Sequence, residues 1–87
     1  MKQRQVILIT GATRGIGKAT AMLAARHEHR VIATGRNEGL LAALSSEASG
    51  QSLPVQTARL DVNDAEAVKE IVGKIVKDHG RLDALVN

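Results

Sequence analysis

Apolar residues in this chain come in short blocks, and the blocks alternate between two periods. Val6, Ile7, Leu8 and Ile9 form one unbroken run within residues 5–10, the mark of a strand buried on both faces. Residues 16–27 are alanine-rich and favour a helix, with Met22 and Leu23 as the largest apolar groups. Residues 30–34, carrying Val31, Ile32 and Ala33, predict a second strand. Asn37 is placed to cap a second helix with Leu40, Leu41 and Leu44 on one face. Residues 45–52 read as a polar loop that Pro54 closes, and residues 55–60 predict a third strand. Asn63 and Glu66 then have the spacing of a capping box. After them Val68, Ile71, Val72 and Ile75 recur at the three- and four-residue steps of an amphipathic helix. Within it Glu70 and Lys74 stand four apart in the favourable order, Gly73 is a weak point and Gly80 suits the C-terminal cap. Residues 82–86 predict a fourth strand.

Strands and helices alternate throughout, which implies parallel pairing through right-handed crossovers. The expectation is one α/β domain over residues 1–87, a three-layer, Rossmann-like, doubly wound sheet. It would have about four strands in the order 3-2-1-4 and three helices, the first two on one face and the third on the other. Ligands of such sheets bind where the strand order reverses, here beside the first and fourth strands.

Composition narrows the picture. Hydrophobic residues make up 44% of the 87 but none is Phe, Tyr or Trp, so the core must be aliphatic and the domain marginal. The chain has no cysteine, which excludes a disulfide framework and a thiolate metal site. His27, His29 and His79 show no metal-like spacing and read as surface residues at helix ends. The net charge of +3 suits an anionic ligand, but no basic run or aromatic platform points to nucleic acid. Apolar runs are too short for a membrane span or a signal peptide, so the expected location is cytoplasmic.

The most informative segment is Thr10-Gly11-Ala12-Thr13-Arg14-Gly15-Ile16-Gly17, leaving a strand and entering a helix. Unpaired N–H groups and the positive end of the dipole make a helix N-terminus an anion site. Gly11 would make the turn, while Gly15 and Gly17 would permit close approach and helix-to-strand packing. A bare tight turn is the plainer alternative. A P-loop is excluded because Ala12 and Ala19 stand where its first glycine and its hydroxyl are needed. Lys18 is then a solvated helix residue.

This segment resembles the cofactor fingerprint of short-chain dehydrogenases/reductases, and the resemblance runs over the whole chain. It implies dinucleotide contacts from Thr10, Gly11, Thr13, Arg14, Gly15, Ile16 and Gly17. It also implies that Asp61, with Val62, lies against the adenine ring. Asp61 equally suits a turn before the third helix, and the two roles are compatible. Leu85-Val86-Asn87 resembles the start of the family's Asn-Asn-Ala-Gly motif, which makes Asn87 a further candidate.

An NAD site usually places an acid near the end of the second strand, on the ribose 2′-OH. Gly35-Arg36 stands there instead. The planar guanidinium of Arg36 matches a 2′-phosphate, and Arg14 supplies a second cation. NADP(H) is therefore favoured over NAD(H). The resemblance implies hydride transfer between nicotinamide and a carbonyl or alcohol, using the Tyr and Lys of a Tyr-x-x-x-Lys segment with a Ser and an Asn. The chain has no tyrosine, and the resemblance puts the Ser and that segment beyond Asn87. The chain is expected to be a truncated, non-catalytic part of an oxidoreductase, meeting its carbonyl or alcohol substrate only in the full-length parent. A nucleotide-binding or scaffold half-domain is the alternative, and a methyltransferase a weaker one. The bare fourth strand is expected to cause self-association through the sheet edge or face.

Overall fold

The computed structural model describes residues 4–87. It contains β1 (Val6–Ile9), α1 (Gly15–Arg26), β2 (Arg30–Gly35), α2 (Glu38–Gly50), β3 (Val55–Arg59), α3 (Ala65–His79) and β4 (Ala84–Val86). The strands form one parallel sheet in the order β3-β2-β1-β4. Successive β1 side chains point to opposite faces, which divides the core in two. Ile7 and Ile9 cluster with Met22 and Ala25 of α1 and Leu44 and Ala48 of α2. Val6, Leu8 and Ile32 cluster with Ile75 of α3. Leu8 and Ile9 are wholly buried, each stabilising the fold by about 2 kcal/mol through apolar transfer.

Two expectations are corrected. The second helix does not give way to a loop at residues 45–52 but continues to Gly50. Ala48 is buried and extends the stripe of Leu41 and Leu44 by one turn, so packing holds the serine-rich segment helical. The third helix is capped by Asp64, not Asn63: Asp64 Oδ1 accepts from the Ala67 N–H at 3.1 Å. The Asn63 N–H instead donates to Asp61 Oδ1 at 2.9 Å, so Asn63 belongs to the turn that delivers the cap. Glu66 is then the second helical residue, and the Asn63–Glu66 box does not form.

Smaller departures follow the same logic. Met22 faces the core while Leu23 is exposed. His27 caps α1 and His79 ends α3, but His29 lies in the connection to β2, where its Nδ1 accepts from the Gln5 N–H. Gly80 takes the left-handed conformation expected of a C-cap. Lys18 reaches Glu47 at 2.9 Å across α1 and α2, and both side chains are well exposed, so the pair is worth less than about 1 kcal/mol.

β4 is only three residues long, and its attachment to β1 is reinforced from both ends. At one end the Asp83 N–H donates to Val6 O (2.9 Å), and the Val6 N–H donates to Asp83 Oδ2 (2.7 Å). At the other the Thr10 N–H donates to Val86 O at 2.9 Å. The Arg81 guanidinium bonded to Asp83, followed by the Val6 N–H, holds the Asp83 carboxyl below the usual carboxylate range. Ionised Asp83 therefore stabilises the fold above that range, and the contribution fades as pH falls through the lowered folded value. Leu85, 52% exposed, leaves apolar surface on the α3 side of β4. Among the described residues no helix is long and apolar enough to cross a membrane.

Candidate functional site

The chain leaves β1 at Ile9 and must reverse into α1 within five residues. Gly11 (φ +59°) and Gly15 (φ +62°) take left-handed conformations that other residues adopt at a cost. The Ala12 N–H donates to Thr34 O at 2.9 Å and the buried Thr34 hydroxyl to Ile9 O at 3.0 Å, so the turn is fastened to β2. Gly17 plays a third part: a Cβ there would land on the Gly11 carbonyl. Its absence lets α1 rise directly from the turn.

α1 begins without a cap. Arg14 at the N-cap is extended and gives no side-chain hydrogen bond, and the first turn contains no acid. The Lys18 N–H is the first to bond back, to Arg14 O at 3.3 Å. The N–H groups of Gly15, Ile16 and Gly17 thus precede the helical ladder. Ile16 beside them is 87% exposed, so nothing in the described chain covers this end.

A cavity of about 450 Å³ opens beside it. Gly11, Thr13 and Arg14 line it from the turn; Gly35, Arg36, Asn37 and Leu40 from the end of β2 and the start of α2; Leu60, Asp61, Val62 and Asn63 from beyond β3. Of the residues singled out from sequence, it brings together Gly11, Thr13, Arg14, Arg36, Asp61 and Val62. Gly15, Ile16 and Gly17 form the base of α1 at its side. Thr10 and Asn87 meet each other at the ends of β1 and β4, the Thr10 hydroxyl donating to Asn87 Oδ1 at 2.8 Å.

Arg14 and Arg36 are exposed and join neither of the ion pairs found among the described residues, Lys18–Glu47 and Arg81–Asp83. Two guanidinium groups outside those ion pairs therefore line one cavity, next to the N-terminal end of α1. Asp61 opposes them with one carboxylate; its Oδ1 holds the Asn63 N–H. The arrangement suits a ligand with several anionic groups and a hydrogen-bond donor that meets Asp61. It offers no phenol for proton transfer, because the chain has no tyrosine. Among the described residues no cluster of His, Asp or Glu could hold a metal ion.

Sequence reasoning missed part of the lining. Leu40 belongs by its spacing to the core face of α2 but is 37% exposed and lines the cavity. Leu60 and Asn63 carry no signal beyond their nearness to Asp61. A second cleft of about 460 Å³ lies at the outer sheet edge, between β3 and α3, with Gln56, Lys74 and His79 in its wall. It has no uncapped helix end and no glycine turn, so the cavity at the carboxyl ends of the strands is the stronger candidate.

Comparison with known proteins agrees with this fold. A family model for short chain dehydrogenases matches residues 5–87. A 3-oxoacyl-[acyl-carrier-protein] reductase, FabG, of Thermotoga maritima is 45% identical over 83 residues, covering 95% of this chain and 34% of that protein. The NADP-dependent 3-hydroxy acid dehydrogenase YdfG of Salmonella typhi is 38% identical over 82 residues, covering 94% and 32%. The crystal structure of a metagenomic short-chain oxidoreductase in complex with NADP superposes with a TM-score of 0.86 at 31% identity, covering 93% of this chain and 37% of that one. The chain thus spans about a third of the length of the relatives it matches.

Proposed function

The chain belongs to the short-chain dehydrogenase family, and on that premise we propose that it holds NADP(H) for an oxidoreductase of that kind. The family binds nicotinamide dinucleotides; the finer assignment rests on one observation. Arg14 and Arg36, neither ion-paired among the described residues, line the cavity at the uncapped start of α1, and Gly35 stands where an NAD site carries an acid. In this reading the N–H groups of Gly15, Ile16 and Gly17 hold the pyrophosphate. The two guanidinium groups hold the 2′-phosphate, and Asp61 and Val62 border the adenine. Thr10 and Asn87 keep the ends of β1 and β4 together beside the nicotinamide. The names of YdfG and of the NADP-bound oxidoreductase support the choice of phosphorylated cofactor.

Bound nicotinamide supplies hydride chemistry between itself and a carbonyl or alcohol. The residues of this chain serve that reaction by orienting the dinucleotide, since none of them is a tyrosine. The exposed Leu85 on the β4 edge supports self-association or burial against another segment.

The test is thermal unfolding followed by far-UV circular dichroism, with NADP⁺, with NAD⁺ and with neither. A ligand that binds only the folded chain raises the midpoint. The expected result is a larger rise with NADP⁺ than with NAD⁺. No rise with either, from a folded chain, would refute the reading and leave a scaffold role.

A further inference from the structure

Gly35 is buried at the end of β2 and its φ lies outside the left-handed region, so its backbone does not require glycine. Its neighbour does. A Cβ on Gly35 would stand 2.7 Å from Thr13 Cγ2, closer than such atoms approach. The next atoms, Thr13 Oγ1 at 3.6 Å and Thr13 Cβ at 3.7 Å, are at ordinary contact distance. A single methyl group therefore closes the space. Thr13 has little freedom to retreat: the preceding Ala12 is fastened to Thr34, and a β-branched side chain is stiff at χ1. Both residues line the cavity assigned to the dinucleotide. The end of the second strand is also where a carboxylate would reach a ribose 2′-OH.

We infer that Thr13 and Gly35 act as one specificity-determining pair, the Thr13 methyl barring a carboxylate from the end of β2 and so holding the site to a 2′-phosphorylated dinucleotide. The inference rests on the reading proposed above. Thr13 is a positioning residue here: it acts through the space at position 35. Reversal of cofactor preference then needs two changes, an acid at 35 and loss of the methyl at 13.

The experiment measures NADP⁺ and NAD⁺ dissociation constants by titration calorimetry for the 87-residue chain and for Gly35→Asp, Thr13→Ser and the double variant. Gly35→Asp alone is expected to lose NADP⁺ affinity without gaining NAD⁺. The double variant, referred to Thr13→Ser, is expected to shift the affinity ratio towards NAD⁺ by about tenfold. Because lost NADP⁺ binding alone moves that ratio, the deciding reading is NAD⁺ affinity itself, expected to rise about tenfold in the double variant over Thr13→Ser. An equal gain in NAD⁺ affinity in Gly35→Asp alone overturns the pairing. So does a double variant that folds no better than an unfolded Gly35→Asp. Ligand-free melts of Gly35→Ala, alone and combined with Thr13→Ser, read the collision directly: the midpoint should fall in the single variant and recover in the combination. If Gly35→Ala melts no lower than the wild type, the pairing is refuted even where NADP⁺ binds. A wild-type chain that binds neither dinucleotide overturns the functional reading, and this one with it.

Discussion

The three helices begin in two different ways. α2 and α3 are closed by side chains: Asn37 Oδ1 accepts the Leu40 N–H at 3.0 Å, and Asp64 Oδ1 accepts the Ala67 N–H at 3.1 Å. Each also carries an acid in its first turn, Glu38 and Glu66. α1 has a basic residue at the cap, no acid in the first turn and two glycines among its first three residues. Capping typically contributes about 1 kcal/mol, so α1 forgoes stability that its neighbours take. That difference makes sense if the donors and dipole of α1 are reserved for a group from outside the chain.

The sharpest way to break the comparison is one chemical change in two helices. Gly17→Ala drives a methyl onto the Gly11 carbonyl and is expected to cost about 3 kcal/mol, read as a fall of roughly 15 °C in the melting midpoint. Gly73→Ala, inside α3 with nothing within 4 Å of the new methyl, is expected to raise stability by about 0.8 kcal/mol. Equal effects at both sites would show that Gly17 is only a weak helix former. A second contrast concerns the caps. Asp64→Ala is expected to destabilise the chain by about 1 kcal/mol in denaturant titration. The smallest effect is expected for Arg14→Ser, which offers α1 a capping hydroxyl and should stabilise the free chain by about 0.5 kcal/mol. The same variant should reduce the midpoint rise produced by NADP⁺. Were Arg14→Ser as damaging as Asp64→Ala, the start of α1 would be a structural end like the others.

What can be read from the chain depends on how local its cause is. The strands and the buried face of α3 are legible because the run from Val6 to Ile9 and the stripe through Val68, Ile71, Val72 and Ile75 have distinct periods. The strand order follows from the alternation of strands and helices in a doubly wound arrangement. The end of α2 is not, because Ala48 suits a loop as well as a helix until Leu41 and Leu44 fix the buried side. The cap of α3 turns on two adjacent candidates, Asn63 and Asp64, and the turn made by Asp61 decides between them. In the site, Gly11, Arg14, Arg36 and Asp61 are legible because each sits at the carboxyl end of a strand or the start of a helix. Leu40 is not, since which side of a first turn faces a cleft depends on how the helix crosses the sheet, and Leu60, in the connection after β3, has no pattern of its own. The contact between Thr13 and position 35 joins two strand ends through one methyl group, and no periodicity reports it.

The clasp of Asp83 on Val6 also bears on the order in which the sheet comes together. The partners are 77 residues apart, whereas Gln5 and His29, at the opening of the β1–β2 seam, are 24 apart. Loop closure makes the longer connection costlier by about 1 kcal/mol. β1 is buried along its whole length, yet one of its edges waits for a segment 77 residues further on. The β1–β2 seam is therefore expected to nucleate, with β4 joining last and the carboxylate of Asp83 latching it. During synthesis an open, wholly apolar strand edge is the hazard this chain carries longest.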